Sequence, residues 1–329
     1  MNHMFDRETE RLETAVRLLD APTDARQALI EEYRRRSDDA FAPTTRRNLV
    51  QIRAMFIRWC EERGHSAAPP VEPRIVAQYV DWLGGRVKAS TIETRLWAIG
   101  EMHRAEFHIS PCRHRLVELA LMGVKRKYGA GNRQAPALGK REVLDAIARL
   151  GNSRIEVRNR AVLYIASDSW CRSSEIVALR VKDMIREADG SSVLYIARST
   201  TDPYGQGSYA FLSKAGTEAA LAWIELAGLR MEDPLLTKSQ RGARRRPLDP
   251  ATVSRILKRC TGRRDVSAHS TRVGGVHDAF RLGCDLSSIM VAGRWTSPEM
   301  PARYGRRILA GQSAAAQVSH AMVQDYKFR

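Results

Sequence analysis

The stretch GAGNRQAPALGK at residues 129–140 divides the chain. Gly and Pro at this density break helices and strands alike, so the segments on either side must bury separate cores. Length agrees. A chain of 329 residues exceeds what one hydrophobic core usually serves, and two domains are expected.

The two sides carry different patterns. From Thr23 to Tyr128, apolar residues recur at helical spacing through ARQALIEEYRRR, APTTRRNLVQIRAMFIRWCEERG, EPRIVAQYVDWLGGR, ASTIETRLWAIGEMHRAE and HRLVELALMGVKRKYG. Pro43, Ser/Thr caps and Gly breaks mark their ends. This predicts a domain of four or five helices over 23–128, preceded by a loosely attached helical arm over 1–22. Beyond the linker, REVLDAIARLG and EVRNRAVLYIASDSW read as an amphipathic and a buried helix. SSVLYIARST and SYAFLSK are alternating runs flanking TDPYGQG, the pattern of a β-hairpin with a Gly-rich tip. AGTEAALAWIELAG, DPATVSRILKRCTG, TRVGGVHDAFRLG, LSSIMVAGRW and SAAAQVSHAMVQDY return to helix. The expected fold is mainly α with a small β-sheet. A helical domain (23–128) is joined by a linker (129–140) to a mixed α/β domain (141–329).

Charge narrows the function. The chain has 54 Lys and Arg against 37 Asp and Glu, a formal net charge of +17. That excess points to a polyanion, with nucleic acid the default partner. No apolar run of about 18 residues could span a bilayer. The start, MNHMFDRETERLETAVRLL, is charged throughout and lacks a signal-peptide core. Cys60, Cys112, Cys171, Cys260 and Cys284 are scattered, with no C-x-x-C pair, which suits reduced thiols in the cytoplasm. Neither a metal ion nor another cofactor is expected.

One short motif offers chemistry. AHSTRVGG (268–275) sets His269 and Arg272 three residues apart, near one helical turn, so both can lean toward one point. An imidazole and a guanidinium aimed together suit a phosphate. Arg offers a planar fork to its oxygens, and His can move a proton near neutral pH. Alone, the pair is weak evidence.

Three further segments complete a set: WCRSSEIVALRVKDM with Arg172 and Glu175, AGRWT with Trp295, and ARYGRR with Tyr304, nine residues after the Trp. In order and spacing this set resembles the tyrosine recombinase (phage integrase) family, and within it the Cre-type members. The resemblance spans nearly the whole chain. It implies a helical, SAM-like core-binding domain and a tyrosine-recombinase catalytic domain. The implied activity is site-specific DNA recombination through a 3′-phosphotyrosyl intermediate, with Tyr304 as nucleophile.

Chemistry supports the same roles. Breaking a strand so that it can be resealed needs a nucleophile that stays attached. Arg303, Arg306 and Arg307 beside Tyr304 are expected to favour phenolate character. Arg172 and Arg272 would clamp the phosphate oxygens, and Glu175 would fix Arg172. His269 would accept the tyrosine proton, and Trp295 would donate its indole N–H.

One position departs from the family pattern. Family members carry a lysine before the hairpin tip, which protonates the leaving 5′ oxygen. Here RSTTDPYGQG places Thr200 there, and no lysine lies between Lys182 and Lys214. A threonine hydroxyl is too weak an acid for the task. The alternative is therefore a catalytically weakened or inactive DNA-binding accessory protein of the same fold.

DNA contacts are expected from Thr44, Arg47, Asn48 and Gln51, on a polar face opposite Leu49, Ile52, Met55 and Phe56. Ser90, Thr91, Thr94 and Arg95 form a second face, and Arg255, Lys258 and Arg259 a third. The resemblance implies duplex DNA with inverted-repeat half-sites, a dimer on each site and a tetramer at synapsis. The stripe Ala314, Ala315, Val318 and Met322 would dock on a neighbour. The expected setting is the cytoplasm, for a bacterial, phage, plasmid or transposon-borne protein associated with the nucleoid.

Overall fold

The computed structural model describes residues 23–131, 134–198, 205–238 and 245–327. The expected arm (1–22) and Thr200 lie outside these. The chain forms two compact units, residues 1–133 and 134–329.

The first unit is helical: α1 (Thr23–Ala40), α2 (Pro43–Glu61), α3 (Pro73–Leu83), α4 (Ala89–Arg104) and α5 (Arg115–Tyr128). Pro opens α2 and α3, where its missing N–H leaves no helical bond unmade. α2 packs on α4 and α3 on α5. Their shared core holds Phe56, Trp59, Tyr79, Leu83, Ile92 and Ile99, with Phe56 and Tyr79 edge to face at 5.1 Å. Burying each such side chain contributes roughly 1.5–3 kcal/mol.

The second unit begins before the predicted linker ends. Leu138 is buried and its N–H donates to the Ser270 carbonyl at 2.9 Å, and Lys140 already starts a helix. Helices α6 (Lys140–Ala148), α7 (Arg154–Asp168) and α8 (Ser173–Ala178) lead into an antiparallel sheet of β1 (Met184–Arg186), β2 (Ser192–Ile196) and β3 (Ser208–Leu212), in the order β1-β2-β3. The predicted hairpin is β2–β3, paired from Ser192↔Leu212 to Ile196↔Ser208. β1 is an addition that the pattern did not reveal.

Helices α9 (Lys214–Ala227), α10 (Pro250–Thr261), α11 (Ala268–Arg281), α12 (Leu286–Gly293), α13 (Glu299–Gly311) and α14 (Ala314–Lys327) follow. α7 packs on α9 and on α11, and α11 on α13. Leu194, Ile196, Ala210 and Leu212 turn one sheet face into the core beside Leu163, Ile165 and Trp223. Among the described residues, no helix is long and apolar enough to cross a membrane.

Candidate active site

Helix α11 carries the HSTR motif because two glycines let it approach its neighbours. A Cβ on Gly274 would lie 1.9 Å from the Leu138 carbonyl oxygen, and one on Gly275 would lie 2.2 Å from the Trp170 ring. That close seating buries Arg272, which is 1% exposed. Its guanidinium donates to the Gly293 carbonyl at 2.9 Å and to the Trp170 carbonyl, and lies 4.7 Å over the Trp295 ring. Burial, then the nearby charges of Arg172 and Arg294, push its pKa down to about 10, leaving it charged at neutral pH.

His269, one turn earlier, shares a 2.8 Å hydrogen bond between Nε2 and the Tyr304 hydroxyl. Loss of water and the charges of Arg272 and Arg172 hold its pKa below the ordinary imidazole value. Tyr304 is 7% exposed, on α13. Its backbone carbonyl accepts from His277 Nε2 at 2.9 Å and Gln134 Nε2 at 3.2 Å, fixing this stretch of helix against α11 and the 134–140 segment. Gly305 beside it makes room for Phe280.

The expected phenolate does not form in the free protein. Burial raises the Tyr304 pKa, and Arg272, Arg172 and Arg303 only partly offset it. Arg306 and Arg307 are exposed and do not contribute. The proton therefore rests on the phenol.

Arg172 caps α8. Its backbone N–H donates to Glu175 Oε2 at 2.8 Å and its guanidinium to Oε1 at 2.7 Å. Glu175, 3% exposed, also accepts from Arg294 at 2.9 Å. Burial opposes the charge on Glu175, but these donors outweigh it and hold its pKa below the usual carboxylate value. Trp295 is half-buried, 5.8 Å from the Tyr304 ring and 6.4 Å from Trp170. A Cβ on Gly293 would lie 1.8 Å from the Trp295 ring, so glycine there sets the ring's place.

The fold thus gathers Arg172, Glu175, His269, Arg272, Trp295 and Tyr304 from four separate segments. Sequence reading missed Arg294 and Trp170, both non-glycine residues with positive φ, 54° and 48°. It also missed His277. The Gly-Arg-Trp run gave no signal for Arg294, because the left-handed φ it adopts is one that sequence rules assign to glycine. The Nε atoms of Arg272 and Arg294 are buried without a hydrogen-bond partner. Three guanidiniums around one carboxylate leave positive charge uncompensated, an arrangement suited to an anion such as phosphate. No group of three or more His, Cys, Asp or Glu placed to hold a metal occurs among the described residues.

Other expected contact residues occupy surfaces. On α2, Thr44, Arg47, Asn48 and Gln51 are exposed together. Met55, expected on the apolar side, is 41% exposed and meets Arg95, whose guanidinium also donates to the Tyr79 hydroxyl at 3.1 Å. On α4, Thr94 is exposed and bonds the Ser90 carbonyl at 2.9 Å, while Ser90, Thr91 and Arg95 are half-buried. Arg255, Lys258 and Arg259 are exposed on one side of α10, opposite buried Val253, Ile256 and Leu257.

No protein-family model matches the chain. It is 27% identical over 317 residues to the recombinase Cre of Escherichia phage P1, covering 88% of this chain and 91% of that protein. An integrase/recombinase XerD homolog of Selenomonas ruminantium is 26% identical, over 76% of this chain and 77% of its own. Among solved structures, a lambda integrase dimer bound to a core site superposes with a TM-score of 0.56 at 16% identity, covering 83% of this chain and 92% of that one. The Tn1549 transposon integrase in complex with transposon right-end DNA gives 0.58 at 12%, covering 84% and 94%. The structural likenesses establish the shared fold. The sequence relatives are recombinases, and the chain carries the ordered Arg, His-x-x-Arg, Trp and Tyr set, so in sequence and in fold it is similar to the tyrosine recombinases.

Proposed function

We propose that the chain is a site-specific DNA recombinase that breaks and rejoins strands through a 3′-phosphotyrosyl linkage. The observation that carries this reading is the 2.8 Å contact between the Tyr304 hydroxyl and His269 Nε2, made under the charges of Arg172 and Arg272. The Tyr304 oxygen bonds to phosphorus, the phosphorus–O5′ bond breaks, and the phenolic proton passes to His269. The departing O5′ takes up a proton from a separate donor. In the return step a 5′ hydroxyl expels Tyr304, so the number of diester bonds is unchanged.

Arg172 and Arg272 stabilise the charge that develops on the non-bridging oxygens. Each such donor contributes roughly 3–4 kcal/mol to the transition state. Glu175 orients Arg172. Trp295 supports Arg272 and offers its N–H to the phosphate. Chemistry of this kind needs no cofactor.

The partner is duplex DNA with inverted-repeat half-sites. Arg47, Asn48 and Gln51 with Thr44 read one groove, Arg on guanine and Asn on adenine. Ser90, Thr91, Thr94 and Arg95 line a second contact. Arg255, Lys258 and Arg259 engage phosphates, which set position without reading sequence. The chain acts in the cytoplasm as a dimer on a site and a tetramer at synapsis. The stripe of Ala314, Ala315, Val318 and Met322, all exposed, serves the contact between copies.

A second reading, an accessory protein that binds but does not cleave, is favoured by Thr200 at the position of the family's lysine. Trapping separates the two. A suicide substrate, nicked so that the cleaved end diffuses away, should leave a denaturation-resistant adduct with the native chain and none with Tyr304→Phe, at unchanged site binding. An adduct that survives Tyr304→Phe would refute the assignment, and binding without any adduct would favour the accessory reading.

A further inference from the structure

We propose that Arg294 is a positioning residue of the cleavage site, holding the Glu175 carboxylate and the 169–171 loop so that Arg172 and Arg272 converge on one phosphate. This rests on the phosphotyrosyl reading above. From the end of α12, the Arg294 guanidinium reaches the supports of both arginines. It donates to Glu175 Oε2 at 2.9 Å, the carboxylate whose other oxygen grips Arg172 at 2.7 Å. It also donates to the carbonyls of Ser169 at 3.0 Å and Trp170 at 3.3 Å, the latter being a carbonyl that Arg272 binds as well. One side chain thus ties together two supports that the sequence places more than a hundred residues away from it.

Arg294 has a backbone cost with no local reason. Its φ is 54°, in the left-handed region where a Cβ is strained and glycine is preferred. The turn alone would be satisfied by glycine. What this position holds instead is a guanidinium whose side chain is only 9% exposed and is turned inward onto Glu175.

The groups facing Glu175 are Arg172 and Cys171 from its own loop, Arg272 from α11 and Arg294 from α12. Without Arg294, the buried carboxylate loses one of its two directly bonded cations. Its pKa must then rise, because burial already disfavours the charge. A protonated Glu175 loosens its hold on Arg172.

The experiment uses the full chain with Arg294→Gly, which suits the backbone, and Arg294→Lys, which keeps a charge. Carboxyl-carbon NMR follows Glu175 in the free protein, and trapping on a suicide substrate follows cleavage across pH. Arg294→Gly should move the Glu175 midpoint to higher pH and slow cleavage by about 10²-fold on the acid side. That deficit should narrow as pH rises. Arg294→Lys should recover part of it, and Arg294→Gly should slow the Glu175→Gln chain by less than it slows the native chain, because only its hold on the 169–171 loop is then left to lose. An unchanged Glu175 midpoint overturns the proposal, as does a pH-independent deficit that multiplies with Glu175→Gln. A shifted midpoint in a chain that forms no adduct in any version refutes the strand-cleaving reading alone.

Discussion

Gly293→Ala adds one methyl group and changes no charge, yet it should disturb the site at its centre. The new Cβ would stand 1.8 Å from the Trp295 ring. Carbon atoms rest at about 3.5–4.0 Å, so the ring must retreat by about 2 Å. It has little room, with the Tyr304 ring 5.8 Å away and the Arg272 guanidinium 4.7 Å away. The Gly293 carbonyl also anchors Arg272 at 2.9 Å. Overpacking of this kind costs about 1–3 kcal/mol. For a unit of this size each kcal/mol lowers Tm by about 2–4 °C, giving a fall of roughly 2–12 °C. A misplacement near 1 Å slows chemistry by about 10²-fold. Thermal melting and the rate of adduct formation on a suicide substrate measure the two effects. Gly311→Ala is the control. Nothing lies within 4 Å of its added Cβ, so it should leave both readings near native. If Gly293→Ala melts and cleaves like the native chain, the claim that glycine positions the Trp295 ring is wrong.

Further outcomes follow from the site's electrostatics and from the sequence. Cleavage should fall as pH drops, because His269 must be neutral to accept the Tyr304 proton. With its pKa held below the ordinary value of 6.5, half-loss should come below pH 6.5. Tyr304 is raised above 10.0, so no phenolate-driven increase should appear near neutrality; a rate that climbs steadily from pH 7 to 9 would contradict this. Thr200→Lys should raise the native rate, general acid catalysis being worth about 10²–10⁴-fold. A bridging 5′-phosphorothiolate substrate, whose thiolate leaves unprotonated, should speed the native chain more than the lysine variant. Equal rates for both proteins on both substrates would show that another residue already supplies the proton.

The fold was legible where periodicity and caps agreed. α2, α3 and α10 begin at Pro43, Pro73 and Pro250, and their apolar stripes are the buried ones. α13, which carries Tyr304, was not read as a helix. EMPARYGRRILAG holds Pro301 and Gly305, both helix breakers in isolation. Pro301 falls in the first turn, where its missing N–H is harmless, and Gly305 is required by Phe280 across the α11–α13 contact. Only tertiary packing explains that glycine. β1 is three residues long, too short for alternation to register. The spacing of Arg172, His269, Arg272, Trp295 and Tyr304 was readable, but their electrostatics were not. Counting the arginines next to Tyr304 in sequence suggested an acidic phenol, whereas burial dominates and the opposing charge comes chiefly from Arg272 and Arg172. Arg294 and Trp170 escaped for a related reason. Their roles depend on left-handed backbone conformations that sequence rules assign to glycine.

The residue types at the site divide its labour. A cation buried to 1% exposure must stay charged to be useful, and lysine in that setting readily loses its proton. Arg272, pushed down only to about 10, keeps its charge. The same property that suits arginine to hold a phosphate prevents it from giving up a proton at neutral pH. His269 is already committed to the Tyr304 hydroxyl at 2.8 Å. The proposed cleavage moves two protons, one from the phenol and one to O5′, and in that proposal the arginines with His269 account for only the first. The second must come from a group outside this cluster. Lys214 and Arg198 are exposed, Lys214 lying along Gly190 and Arg198 against Gly205. As residue types, lysine is the one enzymes use to move protons, whereas arginine serves as a fixed charge. Thr200→Lys therefore tests a division of roles as much as a single residue: charge held by buried arginines, and the leaving-group proton supplied from an exposed side chain that remains free to exchange it with water.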